Sequence, residues 1–138
     1  MTDLETSRTL SVRITRDPAT VYAFAVNPAH LPRWATGVGS SVDRIDDQWV
    51  AQTEQGPVTV RFAEPNALGV LDHWIGPATG PEIYVPMRVV PHDVGSEILF
   101  TLRRRPESSD KEFAADAAWV AKDLYALKML LEDAERQV

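Results

Sequence analysis

Phe113, Ala117, Val120, Leu124, Leu127 and Leu131 recur at alternating steps of four and three, which places all six on one stripe of an α-helix. Ser109-Asp110-Lys111-Glu112 opens the segment as a capping box. The Ser109 hydroxyl and the Glu112 carboxylate can each satisfy a backbone N–H that the first turn leaves without a partner. One long helix is predicted from there to about Glu135. Its apolar stripe must be covered, so the upstream chain is read for a sheet that can cover it.

Leu10-Ser11-Val12-Arg13-Ile14-Thr15 alternates apolar and polar side chains with the period of a half-buried strand. Asp17-Pro18 supplies a helix N-cap followed by proline at the first helical position, and predicts a short helix through about Val26. Asn27-Pro28 repeats the signal for a second short helix over Ala29 to Leu31, with Pro32 expected to disturb it before Trp34. From about Val42 to Leu102, β-type runs alternate with the breaks Asp46-Asp47, Gln55-Gly56-Pro57, Pro65-Asn66, Gly76-Pro77, Gly80-Pro81 and Gly95. That is the pattern of an antiparallel meander of roughly six strands. The order is β, two short helices, a meander and one long helix, an α+β class. With no repeat, low-complexity stretch or dividing linker, residues 1–138 are expected to form one domain.

Net charge is −6 and the isoelectric point about 5.0, which opposes nucleic-acid binding. The one dense basic cluster, Arg103-Arg104-Arg105, reads as a solvated strand end before Pro106. No cysteine is present, which removes disulfides, thiolate metal sites and cysteine nucleophiles. The acidic start Met1-Thr2-Asp3-Leu4-Glu5 is unlike an export signal, and no run approaches the ~20 apolar residues of a membrane span. A soluble, cytoplasmic protein is expected.

If Leu71–Ile75 pairs antiparallel with Ile83–Met87, the simplest apolar register sets Leu71, His73 and Ile75 beside Ile83, Val85 and Met87, all facing the long helix. Asp72, Trp74, Tyr84 and Arg88 then face outward, with Asp72 and Arg88 placed for a cross-strand ion pair. Val58, Val60, Phe62, Ile98, Phe100 and Leu102 complete the inner face. Pro86 cannot donate to a ladder and is expected to mark a bulge.

His73 is the sharpest candidate for chemistry, an imidazole on an apolar face that could act as a general base or proton donor. The bland alternative is a histidine hydrogen-bonded to a neighbour or simply facing solvent. Asp72 cannot orient it, because adjacent strand residues project to opposite faces. His30, expected in a helix, and His92, expected in a loop, show no metal-site spacing with His73. Gly37-Val38-Gly39 lacks the third glycine, the lysine and the helix of a phosphate-cradling loop. No Gly-x-Ser-x-Gly elbow is present. Without a nucleotide, metal or thiol signature, function without a cofactor is expected. Trp34, Trp49, Trp74 and Trp119 are packing residues by default. On the last helix Trp119, Ala126 and Leu130 form a flanking stripe that calls for a loop or a second copy of the chain, a possible homodimer.

The element order, with Asp17-Pro18-Ala19-Thr20-Val21-Tyr22, Leu31-Pro32-Arg33-Trp34 and Ser109 to Leu131, resembles the START/Bet v 1-like helix-grip superfamily over nearly the whole chain. Gly69-Val70-Leu71-Asp72-His73 and Val85-Pro86-Met87-Arg88-Val89-Val90 look like its bacterial polyketide cyclase/dehydrase-like subgroup. The resemblance implies a curved antiparallel sheet of about seven strands around the long C-terminal helix, two short helices after the first strand, and a ligand cavity between sheet and helix. It also places Trp34 at the cavity mouth as a lid. Residues expected to line the cavity are Trp34, Val60, Phe62, Leu71, His73, Val85, Met87, Phe100, Leu102, Ala117, Val120 and Leu124. Three functions compete on such a scaffold: binding of a small apolar or polyketide-like molecule, cofactor-free cyclisation or dehydration of a polycarbonyl substrate through His73, and a co-chaperone-like module whose core is filled by side chains.

Overall fold

Strand β1 (Ser7–Ile14) half-buries every second residue and ends on Ile14, fully buried at 1% exposure, as its alternation requires. The computed structural model describes residues 6–35, 41–77 and 79–136; Gly37-Val38-Gly39 lies outside them. Asp17 then caps α1 (Pro18–Ala25), accepting the Thr20 N–H at 3.2 Å and the Thr20 hydroxyl at 2.6 Å. Asn27 accepts the Ala29 N–H at 3.0 Å and starts a 3-10 turn, Pro28–His30, which runs directly into the one-turn helix α2 (Leu31–Trp34). Pro32 therefore does not disturb the second helical stretch. It sits in the first turn of α2, where a missing N–H costs nothing, and Leu31 and Trp34 are both buried.

The meander comprises β2 (Val42–Ile45), β3 (Gln48–Thr53), β4 (Gly56–Phe62), β5 (His73–Pro77), β6 (Ile83–Val85), β7 (Met87–His92) and β8 (Gly95–Arg103). All ladders are antiparallel, in the orders β2-β3-β4-β5-β6 and β1-β8-β7. Asp46 and Asp47 both adopt left-handed backbone, at φ 51° and 65°, which suits the tight β2–β3 hairpin.

Pro86 makes a changeover between sheets instead of a bulge. The residues before it pair with β5 and those after it with β8, while the Pro86 carbonyl accepts the Thr101 N–H at 2.9 Å. Residues 69–71 carry the ladder across the break, with Leu71 N–H to Met87 O at 2.8 Å and Val89 N–H to Gly69 O at 2.9 Å. Counting β6 and β7 as one interrupted strand gives seven strands. Gly69 has φ +74°, and a Cβ there would collide with the Val89 carbonyl, so this crossing requires glycine.

Asp72 belongs to the same junction. Its carboxylate accepts the Tyr84 hydroxyl at 2.6 Å and the Met87 N–H at 2.8 Å, and that hydrogen bond holds the Tyr84 phenol above its ordinary pKa. The expected Asp72–Arg88 ion pair is not formed; Arg88 reaches the Leu68 carbonyl at 3.4 Å instead. On the outer face, Arg61 lies 4.3 Å above the Trp74 ring, Trp74 stacks on Tyr84 at 5.1 Å, and Arg103 lies 5.5 Å from Tyr84. This stack links β4, β5, β6 and β8 across the changeover.

Helix α3 (Asp110–Arg136) begins with the expected capping box: Ser109 N–H to Glu112 Oε1 at 2.9 Å and Glu112 N–H to Ser109 Oγ at 3.0 Å. These bonds hold the Glu112 carboxyl below its ordinary pKa. Arg103-Arg104-Arg105 is not merely a solvated strand end. Arg104 donates to the Ser108 carbonyl at 3.0 Å, pairs with Asp110 at 2.7 Å and lies 5.4 Å from the Phe113 ring, so it anchors the helix start. Phe113, Ala117, Leu124, Leu127 and Leu131 are buried, and Val120 packs against the core at partial exposure.

The helix runs along β1 and against α2. Its far end is tied down by Thr15 N–H to Glu132 at 3.0 Å, Arg16 to the Leu131 carbonyl at 2.7 Å, and Lys128, which donates to the Arg13 carbonyl at 2.9 Å and to Glu132 within the helix at 2.6 Å. Burial alone would raise the Glu132 pKa, but the bonds from Lys128 and Thr15 outweigh it and the net shift is downward. The flanking stripe does not behave as a unit. Ala126 and Leu130 pack against the core, whereas Trp119 is 50% exposed, so the expectation of a second copy rests on Trp119 alone among the three.

Candidate functional site

The layer between sheet and α3 is filled unevenly. Toward β1, Ile14, Val21, Ile98, Leu127 and Leu131 close it into solid core. Toward α2 it opens into a cavity of about 250 Å³. The sheet contributes Val60 from β4, His73 and Ile75 from β5, Val85 from β6 and Phe100 from β8; α3 contributes Val120, Asp123 and Leu124. Leu31, Trp34 and Ala35 close the α2 side.

Among the residues expected at this site, Trp34, Val60, His73, Val85, Phe100, Val120 and Leu124 border the cavity. Five others do not. Leu71, Met87 and Ala117 are buried elsewhere in the interior, Leu102 lies half-buried opposite Arg8 of β1, and Phe62 stands behind His73. Ile83, expected to face inward, is 48% exposed at the edge of its sheet. Leu31, Ala35, Ile75 and Asp123 were not in the expected set. Ile75 carried the same alternation signal as His73, whereas Asp123 had none, being a charged residue beside the stripe.

His73 is the polar centre of the lining. Its register is the expected one, opposite Val85 on β6 and Phe62 on β4. The ring lies 4.9 Å from Phe62 and 6.1 Å edge-on from Phe100. Nδ1 is 3.0 Å from the Leu71 carbonyl oxygen. A carbonyl can only accept, so Nδ1 carries the proton and donates it, leaving Nε2 with a lone pair. Burial lowers the imidazole pKa and outweighs the Leu71 bond and the Asp72 charge, which act the other way. The ring is therefore neutral at neutral pH, and Nε2 is a hydrogen-bond acceptor.

Asp72 takes no part in orienting this ring; its bonds go to Tyr84 and Met87. The Leu71 carbonyl performs that role, a backbone partner that no side-chain motif could reveal. Trp34 borders the cavity, yet its indole N–H is buried without an acceptor. His30 sits in the 3-10 turn, with Nδ1 2.9 Å from the Phe24 carbonyl and its ring stacked on Phe24 at 4.1 Å. His92 is the last residue of β7, not a loop residue. Among the described residues no three metal-ligating side chains converge, and no helix is long and apolar enough to cross a membrane. A larger groove of about 400 Å³, open to solvent to about the same degree, runs between α1 and residues 66–69 and is bordered by Leu68 at 72% exposure.

No family model and no curated protein matches the sequence. Solved structures do match in three dimensions. A START superfamily protein from Mycobacterium smegmatis superposes with a TM-score of 0.71 at 12% identity, covering 94% of this chain and 99% of that one. The chain has the helix-grip fold of START and Bet v 1-like proteins. Ara h 8.0201 gives 0.64 at 14% identity over 91% of this chain and 96% of its own. The dynemicin-locus protein DynU16 gives 0.67 at 12% identity over 94% of this chain and 48% of its own. In this helix-grip frame the cavity lies where the resemblance implied, between the sheet and the long helix.

Proposed function

We propose that the chain, as one helix-grip domain, binds a small and largely apolar molecule of the polyketide-derived kind in the cavity between its sheet and α3. The observation that carries this reading is the unfilled volume of about 250 Å³, walled mainly by aliphatic and aromatic side chains with few polar groups, the usual make-up of a ligand pocket. An interaction module without a ligand would have closed this space with side chains, as the β1 side of the same layer does. The helix-grip fold shared with START and Bet v 1-like proteins supports an apolar ligand in general. Native mass spectrometry of the protein purified from its own host tests the reading. A co-purifying molecule of defined mass is expected. Bare chain that also gains no thermal stability from small apolar compounds would overturn it.

A second reading is favoured by one observation, the His73 ring held in a single tautomer with Nε2 as a base. That is the arrangement a cofactor-free cyclase or dehydratase would use to take a proton from a polycarbonyl substrate. Loss of turnover in His73→Ala with ligand binding retained would select the enzyme over the carrier.

A further inference from the structure

His73 and Asp123 are the ionisable side chains among the cavity's described lining residues. His73 Nε2 bonds to no described residue, and it is not among the buried atoms sealed from solvent, so it opens onto the cavity that the ring borders. It accepts and cannot donate, because the Leu71 carbonyl fixes the proton on Nδ1. Trp34 carries a donor, but its N–H is buried in the wall out of solvent reach. A ligand bringing only acceptors would face the Nε2 lone pair, and an anion would also lose its hydration against an apolar wall.

We propose that the cavity selects small uncharged molecules that present a hydroxyl donor to His73 Nε2, a phenol or enol, and discriminates against carboxylates. This rests on the binding reading above and names its ligand chemistry. Size is bounded as well. An apolar cavity of ~150 Å³ holds benzene, so 250 Å³ corresponds to roughly ten non-hydrogen atoms on the same scale. A single extended ring system of that size fits, whereas a long acyl chain with an acid headgroup meets both exclusions.

The test is calorimetric titration at neutral pH of the wild type, His73→Phe and His73→Leu with four matched probes: naphthalene, 2-naphthol, 2-methoxynaphthalene and 2-naphthoate. The wild type should bind 2-naphthol about tenfold more tightly than 2-methoxynaphthalene, the gain expected of one well-placed hydrogen bond, with 2-naphthoate weakest. Both variants should keep naphthalene binding and lose the preference for 2-naphthol. Equal binding of the naphthol and its ether by the wild type, a preference that survives in the variants, or tightest binding of the carboxylate would overturn the proposal while leaving a binding cavity in place. Failure of every probe, naphthalene included, would sink the binding reading itself. Thermal melts of all three proteins separate a lost hydrogen bond from a lost fold, and Leu serves as the second variant should Phe overfill the site.

Discussion

His73 ties the site to stability as well as to ligand chemistry. The unfolded imidazole titrates near its ordinary value of 6.5, while burial lowers the folded one. Below 6.5 the unfolded chain takes up a proton that the native ring refuses. The contribution is therefore fully present above that pH and is lost as pH falls toward the folded value. The charged neighbour that bears on this is Asp72, just before the strand; the flanking Phe62 and Phe100 rings are uncharged. Urea midpoints measured from neutral pH down to about pH 5 should fall more steeply for the wild type than for His73→Phe, and parallel curves would assign the slope to other groups. Asp72 gives a second residue-level test. Asp72→Ala strips partners from the Tyr84 hydroxyl and the Met87 N–H and should cost about 2–3 kcal/mol, whereas Arg88→Ala should stay within about 0.5 kcal/mol. Equal losses would restore the cross-strand ion pair that alternation alone suggests.

At the level of elements, what could be read in advance was what neighbouring residues decide among themselves. The capping box at Ser109, the caps at Asp17 and Asn27 and the stripe along α3 are local patterns, and each forms as read. Ser109→Ala should cost about 1 kcal/mol and lower the melting temperature by about 3–5 °C for a domain of this size, and an unchanged melt would mean that Arg104, Ser108 and Asp110 hold the helix start without it. Pro86 shows the limit. Its missing N–H announces a defect in the ladder, but whether that defect becomes a bulge or a changeover depends on which strands lie beside it, and β8 is brought there by pairing along β1. Arg104 was misread for the same reason, since its partners Ser108, Asp110 and Phe113 become neighbours only when the helix folds back over the strand end.

For the whole molecule, the inner face was legible and the cavity within it was not. Alternation assigns Leu71, His73 and Ile75 to the same side, yet only His73 and Ile75 meet the void, because a void is what remains after every other side chain has taken its volume. Leu127 and Leu131 fill the β1 half of the layer; Leu124 and Val120, one and two turns before Leu127, face the opening that α2 leaves. An unfilled apolar volume is ordinarily destabilising, with cavity size adding directly to the cost, so a chain that keeps one gives up stability at the position where binding is proposed. Val120→Phe puts that argument to the test by extending a ring into the space from α3. The variant should melt at or above the wild-type temperature and should lose the stabilisation by 2-naphthol, which for the wild type is about 2.7 kcal/mol at a hundredfold excess over Kd. A variant that melts lower would mean the volume is too narrow to accept a ring and the interior is already packed. A variant with the ligand-induced shift intact would move the binding site to the groove beside α1, where Tyr22 and Leu68 form the wall.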